Sequence, residues 1–296
     1  MRRLISIVVV LGLIGAAAFW YLTRPQTLPE DTFAGLTPDL VNGEQVFWAA
    51  GCASCHSAPE ATGEDKLKLG GGRMFESPFG TFSAPNISPD PQQGIGAWTT
   101  LQLANALMKG VSPQGRHLYP ALPYTSYAHA KPQDILDLRA FLDTLPPVAT
   151  PSQPHDIPFP FNIRRLVGGW KLMFADPGWV ISGELTDEQT RGRYLAEALG
   201  HCGQCHTPRN FLGGLQRPLW LSGAPNPEGK GRVPNITPGA LTWSLSDIAY
   251  YLKSGFTPEF DSAGGIMASV VDNMSHLSDA DRNAIAAYLK IVPPVK

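Results

Sequence analysis

Cys52-Ala53-Ser54-Cys55-His56 and Cys202-Gly203-Gln204-Cys205-His206 are two copies of one pattern, C-x-x-C-H. On a helical turn, thiols at i and i+3 come to one side. There each can bond one vinyl group of a haem while the next residue brings its imidazole to the iron. A four-cysteine zinc site is the first competing reading. It would leave both histidines unused, and its pairs usually stand about 15 to 20 residues apart, against 146 here. A thioredoxin-type motif belongs to an α/β fold, and no strand pattern supports one. The chain has four cysteines in all, so none is left for a disulfide elsewhere or a cysteine nucleophile. The motifs therefore assign two covalently bound haem c groups, attached through Cys52, Cys55, Cys202 and Cys205, with His56 and His206 as iron ligands.

Working outward from the motifs exposes a duplication. Cys52 and Cys202 lie 150 positions apart, Asn86-Ile87 and Asn235-Ile236 149, Trp98 and Trp243 145, and Gly110 and Gly255 145. The closing segments, Phe141-Leu142 with Pro146-Pro147-Val148 and Tyr288-Leu289 with Pro293-Pro294-Val295, repeat at 147. Small drifts in offset are loop insertions. The expected domains are 37–148 and 186–296, with a linker over 149–185. Six prolines between Pro146 and Pro160 make the start of that linker a stiff, extended connector.

Each unit reads as three short helices separated by long Gly/Pro-rich loops, an all-α pattern without sustained alternation. The first helix leads into the motif, from about Asp39 to Ala50 and from Asp187 to Leu199, where Thr186 and Gln189 form a capping-box pattern. A middle helix follows each tryptophan and stops at Gly110 or Gly255. The last runs from about Pro132 to Leu145 in unit one and from after Ser278 to Lys290 in unit two, with Ile135, Leu138, Leu142 and Leu145 on one face.

The amino terminus sets the compartment. Arg2-Arg3 precedes an uncharged stretch from Leu4 to Thr23, and at about 1.5 Å per residue that stretch spans roughly 30 Å, the hydrocarbon thickness of a bilayer. Arginines ahead of it favour a cytoplasmic start and an exported body. A cleaved signal peptide, cut after Ala16-Ala17-Ala18, is the alternative for residues 1–24. Phe19-Trp20-Tyr21-Leu22 prolongs the apolar run and suits an interfacial anchor. Hydrophobic residues make up 43% of the 296-residue chain and charged residues 16%, with a net charge of -2, so no basic field invites nucleic acid.

A sixth iron ligand decides whether a haem only passes electrons or also binds small molecules. Outside the anchor and motifs the supply is Met74, Met108, Met173, Met267 and Met274, with His117, His129, His155, His201 and His276. A ligand is expected on a loop between the middle and last helices. In unit two, Met267 follows Gly264-Gly265 and is the expected ligand. The corresponding loop of unit one has no methionine: Leu122 stands where Met267 maps and His129 where Met274 maps. His129 can ligate iron, and so can His117. Met108 reads as core packing, His155 and His276 as surface, and His201 as a loop residue facing a propionate or solvent.

From Asn42 to Lys290 the chain resembles the c-type cytochrome subunits of membrane-bound periplasmic alcohol, gluconate and aldehyde dehydrogenases and related dihaem cytochromes. The resemblance is carried by the two motifs, Phe79-Gly80-Thr81, Pro85-Asn86-Ile87-Ser88-Pro89-Asp90, His117-Leu118-Tyr119-Pro120-Ala121-Leu122-Pro123-Tyr124, Cys202 to Asn210 and Gly264-Gly265-Ile266-Met267. It implies two tandem cytochrome c domains behind a single membrane helix, and it implies Met267 as a distal ligand. It also implies a methionine near the Tyr-Pro-Ala-x-Pro-Tyr segment for the first haem, where this sequence has Leu122 and Ala130. Such subunits often carry a third haem unit, which is absent here.

The function expected is outer-sphere electron transfer in the periplasm. The donor would be a periplasmic dehydrogenase, the acceptor a quinone, a terminal oxidase or a soluble cytochrome, and no catalytic residue is assigned. The rival is a haem enzyme of peroxidase type, or a gas-binding protein, using an open sixth position on the first haem.

Overall fold

A computed structural model describes residues 1–226, 229 and 231–296. After α1 (Arg2–Leu22), unit one comprises α2 (Leu40–Ala49), α3 (Cys52–His56), strands β1 (Met74–Ser77) and β2 (Gly80–Ser83), α4 (Thr100–Lys109), α5 (Tyr124–Tyr127) and α6 (Pro132–Leu142). The helix α7 (Arg164–Phe174) lies between the units. Unit two repeats the order: α8 (Asp187–Arg193), α9 (Gly203–His206), β3 (Ala224–Pro225) and β4 (Arg232–Val233), α10 (Leu245–Ser254), α11 (Ile266–Ser275) and α12 (Asp279–Ile291).

Local signals start and stop these helices. Asp39 accepts hydrogen bonds from the amides of Val41 and Asn42 at the start of α2. Reciprocal capping boxes open α4 through Thr99 and Gln102, α8 through Thr186 and Gln189, and α10 through Ser244 and Asp247. Gly110 and Gly255 end α4 and α10 in the left-handed conformation, at φ 58° and 77°. The helix expected from Asp187 to Leu199 has that extent, but its second half, Tyr194–Leu199, is a π-helical turn.

Within each unit the first and last helices cross at a glycine. A side chain on Gly43 of α2 would run into the Asp137 carbonyl and Phe141 of α6, and one on Gly192 of α8 into the Ala284 carbonyl and Tyr288 of α12. The absent Cβ lets the backbones touch, and buried polar groups then lock the α2 crossing. Asp137 accepts from the Asp39 amide at 2.8 Å and from Asn42 Nδ2 at 2.7 Å. Apolar side chains from both units form one core cluster, including Phe47, Leu138, Leu195, Leu221 and Tyr288.

The two units are also tied across their junction. Tyr194 of unit two donates to the Asp134 carboxylate of unit one, and the Lys131 amide donates to the Tyr194 hydroxyl at 3.1 Å. Trp48 of α2 stacks on His276 at 3.7 Å between ring centres.

Two expectations are corrected. The chain is mostly helical, yet each unit contains a short antiparallel hairpin, 74–77 with 80–83 and 224–225 with 232–233, too brief to show as alternation. Each unit also holds an extra helix, α5 or α11, beyond the three expected. Beyond its proline-rich start, the linker folds back on unit one. Asp156 pairs with Thr81, and α7 then lies against unit one. Its Lys171 ammonium donates to the carbonyls of Lys109 and Gly110 at 2.6 and 2.8 Å, satisfying the C-terminal end of α4.

Replacing Gly192 by alanine should overpack the α8–α12 crossing and destabilise the haem-loaded protein by about 1–3 kcal/mol, read as a lower denaturant midpoint with unchanged slope. Burial also lowers the Lys171 ammonium to about 8. Above that value the folded chain sheds a proton that the unfolded chain keeps to near 10.5, so stability should rise with pH across this window. Lys171→Met should flatten that slope in denaturation curves taken from pH 7.5 to 10.5, spanning the two values.

Candidate haem sites

Each motif helix is aimed by a left-handed residue just ahead of it. Gly51 takes φ 66° before α3, and His201, its counterpart, takes φ 39° before the second motif. A non-glycine residue there is uncommon, although histidine tolerates it better than most. His201, expected to face a propionate or solvent, is half-buried, with its ring edge-on to Tyr127 at 5.6 Å.

The motif histidines are held alike. His56 Nδ1 lies 2.8 Å from the Pro85 carbonyl, and His206 Nδ1 lies 2.8 Å from the Pro234 carbonyl. A carbonyl only accepts, so each Nδ1 carries the proton and each Nε2 keeps a lone pair for iron. Burial lowers both imidazoles below their ordinary value, only partly offset by the carbonyl contacts, which favours the neutral, metal-binding form.

The proline carbonyls are themselves fixed by conserved geometry between the halves. Gly71 and Gly223 donate their amides to the His56 and His206 carbonyls, both at 2.7 Å. Both glycines are left-handed, at φ 74° and 85°, and both press against the backbone of the proline segment. Asn86 Nδ2 then donates to the Val148 carbonyl at 2.6 Å, and Asn235 Nδ2 to the Val295 carbonyl at 2.8 Å. The repeated Pro-Asn-Ile thus clips the loop bearing each histidine's acceptor to the end of its unit.

All four motif cysteines are half-buried. Burial, and then the neighbouring cysteine of the pair, push the Cys52 and Cys202 thiols up to about 12. The Cys55 thiol is raised by burial, opposed by Arg73, and raised again by Cys205, so the two motifs lie within electrostatic reach of each other. Among the described residues no three His, Cys, Asp or Glu side chains converge on one point, as a zinc site would need. Paired thiols beside an Nε2 left open by its own ring partner fit a tethered porphyrin.

Each motif helix is covered by the other unit. Ser54, inside the first motif, accepts from Asn273 Nδ2 of α11 at 2.6 Å and donates to the Ser269 carbonyl at 3.4 Å. Gln204, inside the second motif, donates to the hydroxyls of Thr125 and Ser126 of unit one at 3.3 and 3.0 Å. The helix that follows the middle helix in each half, α5 or α11, thus reaches across to its neighbour's attachment helix.

Met267 is the second residue of α11 rather than a loop residue, half-buried against the core just after Gly265 at φ 56°. Met274, two turns further along the same side of α11, is buried. In unit one Leu122 is half-buried and Ala130 buried. His129 is half-buried, stacked on Trp179 of the linker at 4.1 Å, and it lines a cleft with Trp170, Gln204, Arg209 and Trp220, beside the second motif. His117 is buried, with Nε2 2.8 Å from the Thr23 carbonyl at the end of α1. His155 is not a plain surface residue either, because its Nδ1 accepts from the Ser83 amide at 3.1 Å.

The cytochrome c family model matches residues 40–146. A dihaem cytochrome c-type protein of Cereibacter sphaeroides is 57% identical over the full length of both chains. The cytochrome subunit of fructose dehydrogenase from Gluconobacter japonicus is 39% identical over 86% of this chain and 53% of its own length. The cytochrome c subunit of a quinone alcohol dehydrogenase from Gluconobacter oxydans is 35% identical over 86% of this chain and 55% of its own. This chain spans about half the length of those two dehydrogenase subunits. With full-length similarity to a dihaem protein and two matching histidine clamps, the chain belongs to the dihaem c-type cytochromes and carries two covalently bound haem c groups in two tandem cytochrome c domains.

Proposed function

We propose that the chain is a membrane-anchored periplasmic electron carrier, accepting electrons from a dehydrogenase and passing them to a respiratory acceptor: a quinone, a terminal oxidase or a soluble cytochrome. The reciprocal covering of the two motif helices carries this reading. It brings Cys55 and Cys205 within electrostatic reach, a layout suited to passing charge between two centres. Bound haem supplies a one-electron iron couple. The residues around it hold the imidazoles in one tautomer and favour their neutral form. No acid–base pair is needed for that task. Similarity to cytochrome subunits of fructose and alcohol dehydrogenases supports a dehydrogenase as donor.

The anchor in this reading is α1, 21 residues with none buried. At about 1.5 Å per residue it reaches roughly 30 Å, enough to cross hydrocarbon. Pull-down from native membranes should bring a dehydrogenase with the chain, and adding that enzyme's substrate should reduce both haems. A preparation with no dehydrogenase, whose haems stay oxidised under every such substrate, defeats the proposal.

Met267, the second residue of α11, is proposed as the residue that would supply the sixth ligand of the second haem. Thioether ligation raises potential. Met267→Leu should abolish the sulfur-to-iron charge-transfer band and lower one of the two potentials by an appreciable part of the ~0.8 V range that axial ligands span. Redox titration checks it, and two unchanged potentials would refute it.

For the first haem, His129 is the nearest counterpart in sequence of a unit-two methionine, and two readings compete. The stacking of His129 on Trp179, with Leu122 and Ala130 at the methionine positions, favours an open sixth position over ligation by His129. On the open reading, the ferric protein should show one high-spin haem that binds carbon monoxide once reduced. His129→Ala should then leave the absorption spectrum unchanged. Two low-spin ferric haems in the parent, one lost in His129→Ala, would establish His129 as ligand instead.

A further inference from the structure

The helix α7 is amphipathic in an inverted sense. Its basic residues Arg164 and Lys171 turn towards unit one. The Arg164 guanidinium lies over the Tyr119 ring at 4.2 Å and donates to the His117 carbonyl at 3.1 Å. Lys171 lies over the Tyr124 ring at 4.5 Å and caps the end of α4. The outward side carries Leu166, Leu172 and Met173, which are 43%, 62% and 61% exposed. A helix placed in water by choice would be arranged the other way round.

The end of α1 rests on this same helix. Phe19 lies against Gly169, Arg165 sits over the Trp20 ring at 4.1 Å and donates to the Trp20 carbonyl, and the Thr23 carbonyl packs beside Gly168. Residues 165, 169 and 172 recur at three- and four-residue spacing, so Leu172 continues the strip on which α1 lies. His117 holds the Thr23 carbonyl from unit one, which ties the end of α1 to the body of the protein as well.

We propose that the outward face of α7 is seated in the outer surface of the lipid bilayer, making the linker a second membrane contact that holds the haem domains down against the membrane. This rests on α1 crossing the bilayer. If it does, residues 19–23 lie at the outer interface, and whatever packs on them shares that depth. Leu166, Leu172 and Met173 then enter the boundary between headgroups and acyl chains, the usual depth of an interfacial helix. Arg165, on the Trp20 ring, stays at headgroup level, where a cation meets lipid phosphate. Phe159 and Ile163, exposed immediately before α7, extend the apolar surface. Continuity with α1 selects lipid over a partner protein as the occupant.

The test uses the full haem-loaded chain in nanodiscs of phosphatidylethanolamine and phosphatidylglycerol, with a photoactivated carbene probe carried on a lipid at the headgroup–acyl boundary. Mass spectrometry reads which peptides are labelled. Labelling of both α1 and residues 166–173, with none at the exposed Val41 of α2, is the expected result. A variant with Leu166→Gln, Leu172→Gln and Met173→Gln, all at exposed positions, should lose the α7 label and keep that of α1. A labelled α1 beside an unlabelled α7 overturns this proposal and leaves the anchor standing. An α1 that is unlabelled, or missing from the mature chain by amino-terminal sequencing, overturns the anchor reading and this proposal with it.

Discussion

One hydrogen bond, made twice, sets the terms for the rest of the molecule: the ring Nδ1–H of His56 to the Pro85 carbonyl and that of His206 to the Pro234 carbonyl. It selects the tautomer, aims the opposite nitrogen and holds the ring plane. Everything that positions those two carbonyls serves it. The left-handed Gly71 and Gly223 bring the proline segments close, and Asn86 and Asn235 pin the segments to the far ends of their units. The terminal helices, crossing at Gly43 and Gly192, supply the frame on which motif and acceptor loop meet.

The junction between the units obeys the same economy of parts. The segment after each middle helix leaves its own domain and covers the other's motif: Thr125 and Ser126 reach Gln204, and Ser269 and Asn273 reach Ser54. Because a duplication supplies the same segment twice, one exchange implies the other, as in a two-fold dimer whose halves have been joined. Tyr194 with Asp134 adds a buried polar tie, so the orientation of the halves depends on directional bonds as well as on apolar contact.

The parts of this structure legible from sequence are those with local causes. The motif spacing, the capping box at Thr186, the stop glycines Gly110 and Gly255 and the apolar face of α6 each depend on neighbours a few residues away. What escaped depends on partners far along the chain. The α7 helix follows a proline-rich segment and has its basic residues inside, so its pattern resembles that of no ordinary surface helix. Gly43 and Gly192 lie 149 positions apart, as the repeat would have them, but their meaning is clear only once α6 and α12 lie on top of them. His129 was available to iron by type and position, and its stacking on Trp179 comes from a linker residue fifty positions on, which no periodicity announces.

The mutual covering of the motifs has a consequence for how the protein is made. Once the halves have docked, Ser54 and Gln204 are engaged by the opposite domain, and the folded environment holds the Cys52 and Cys202 sulfurs as protonated, poorly nucleophilic groups. A thioether bond to a porphyrin vinyl forms more readily on a segment that is still open than on one already covered by the opposite domain. The layout thus favours loading each half with its haem before the two close on each other.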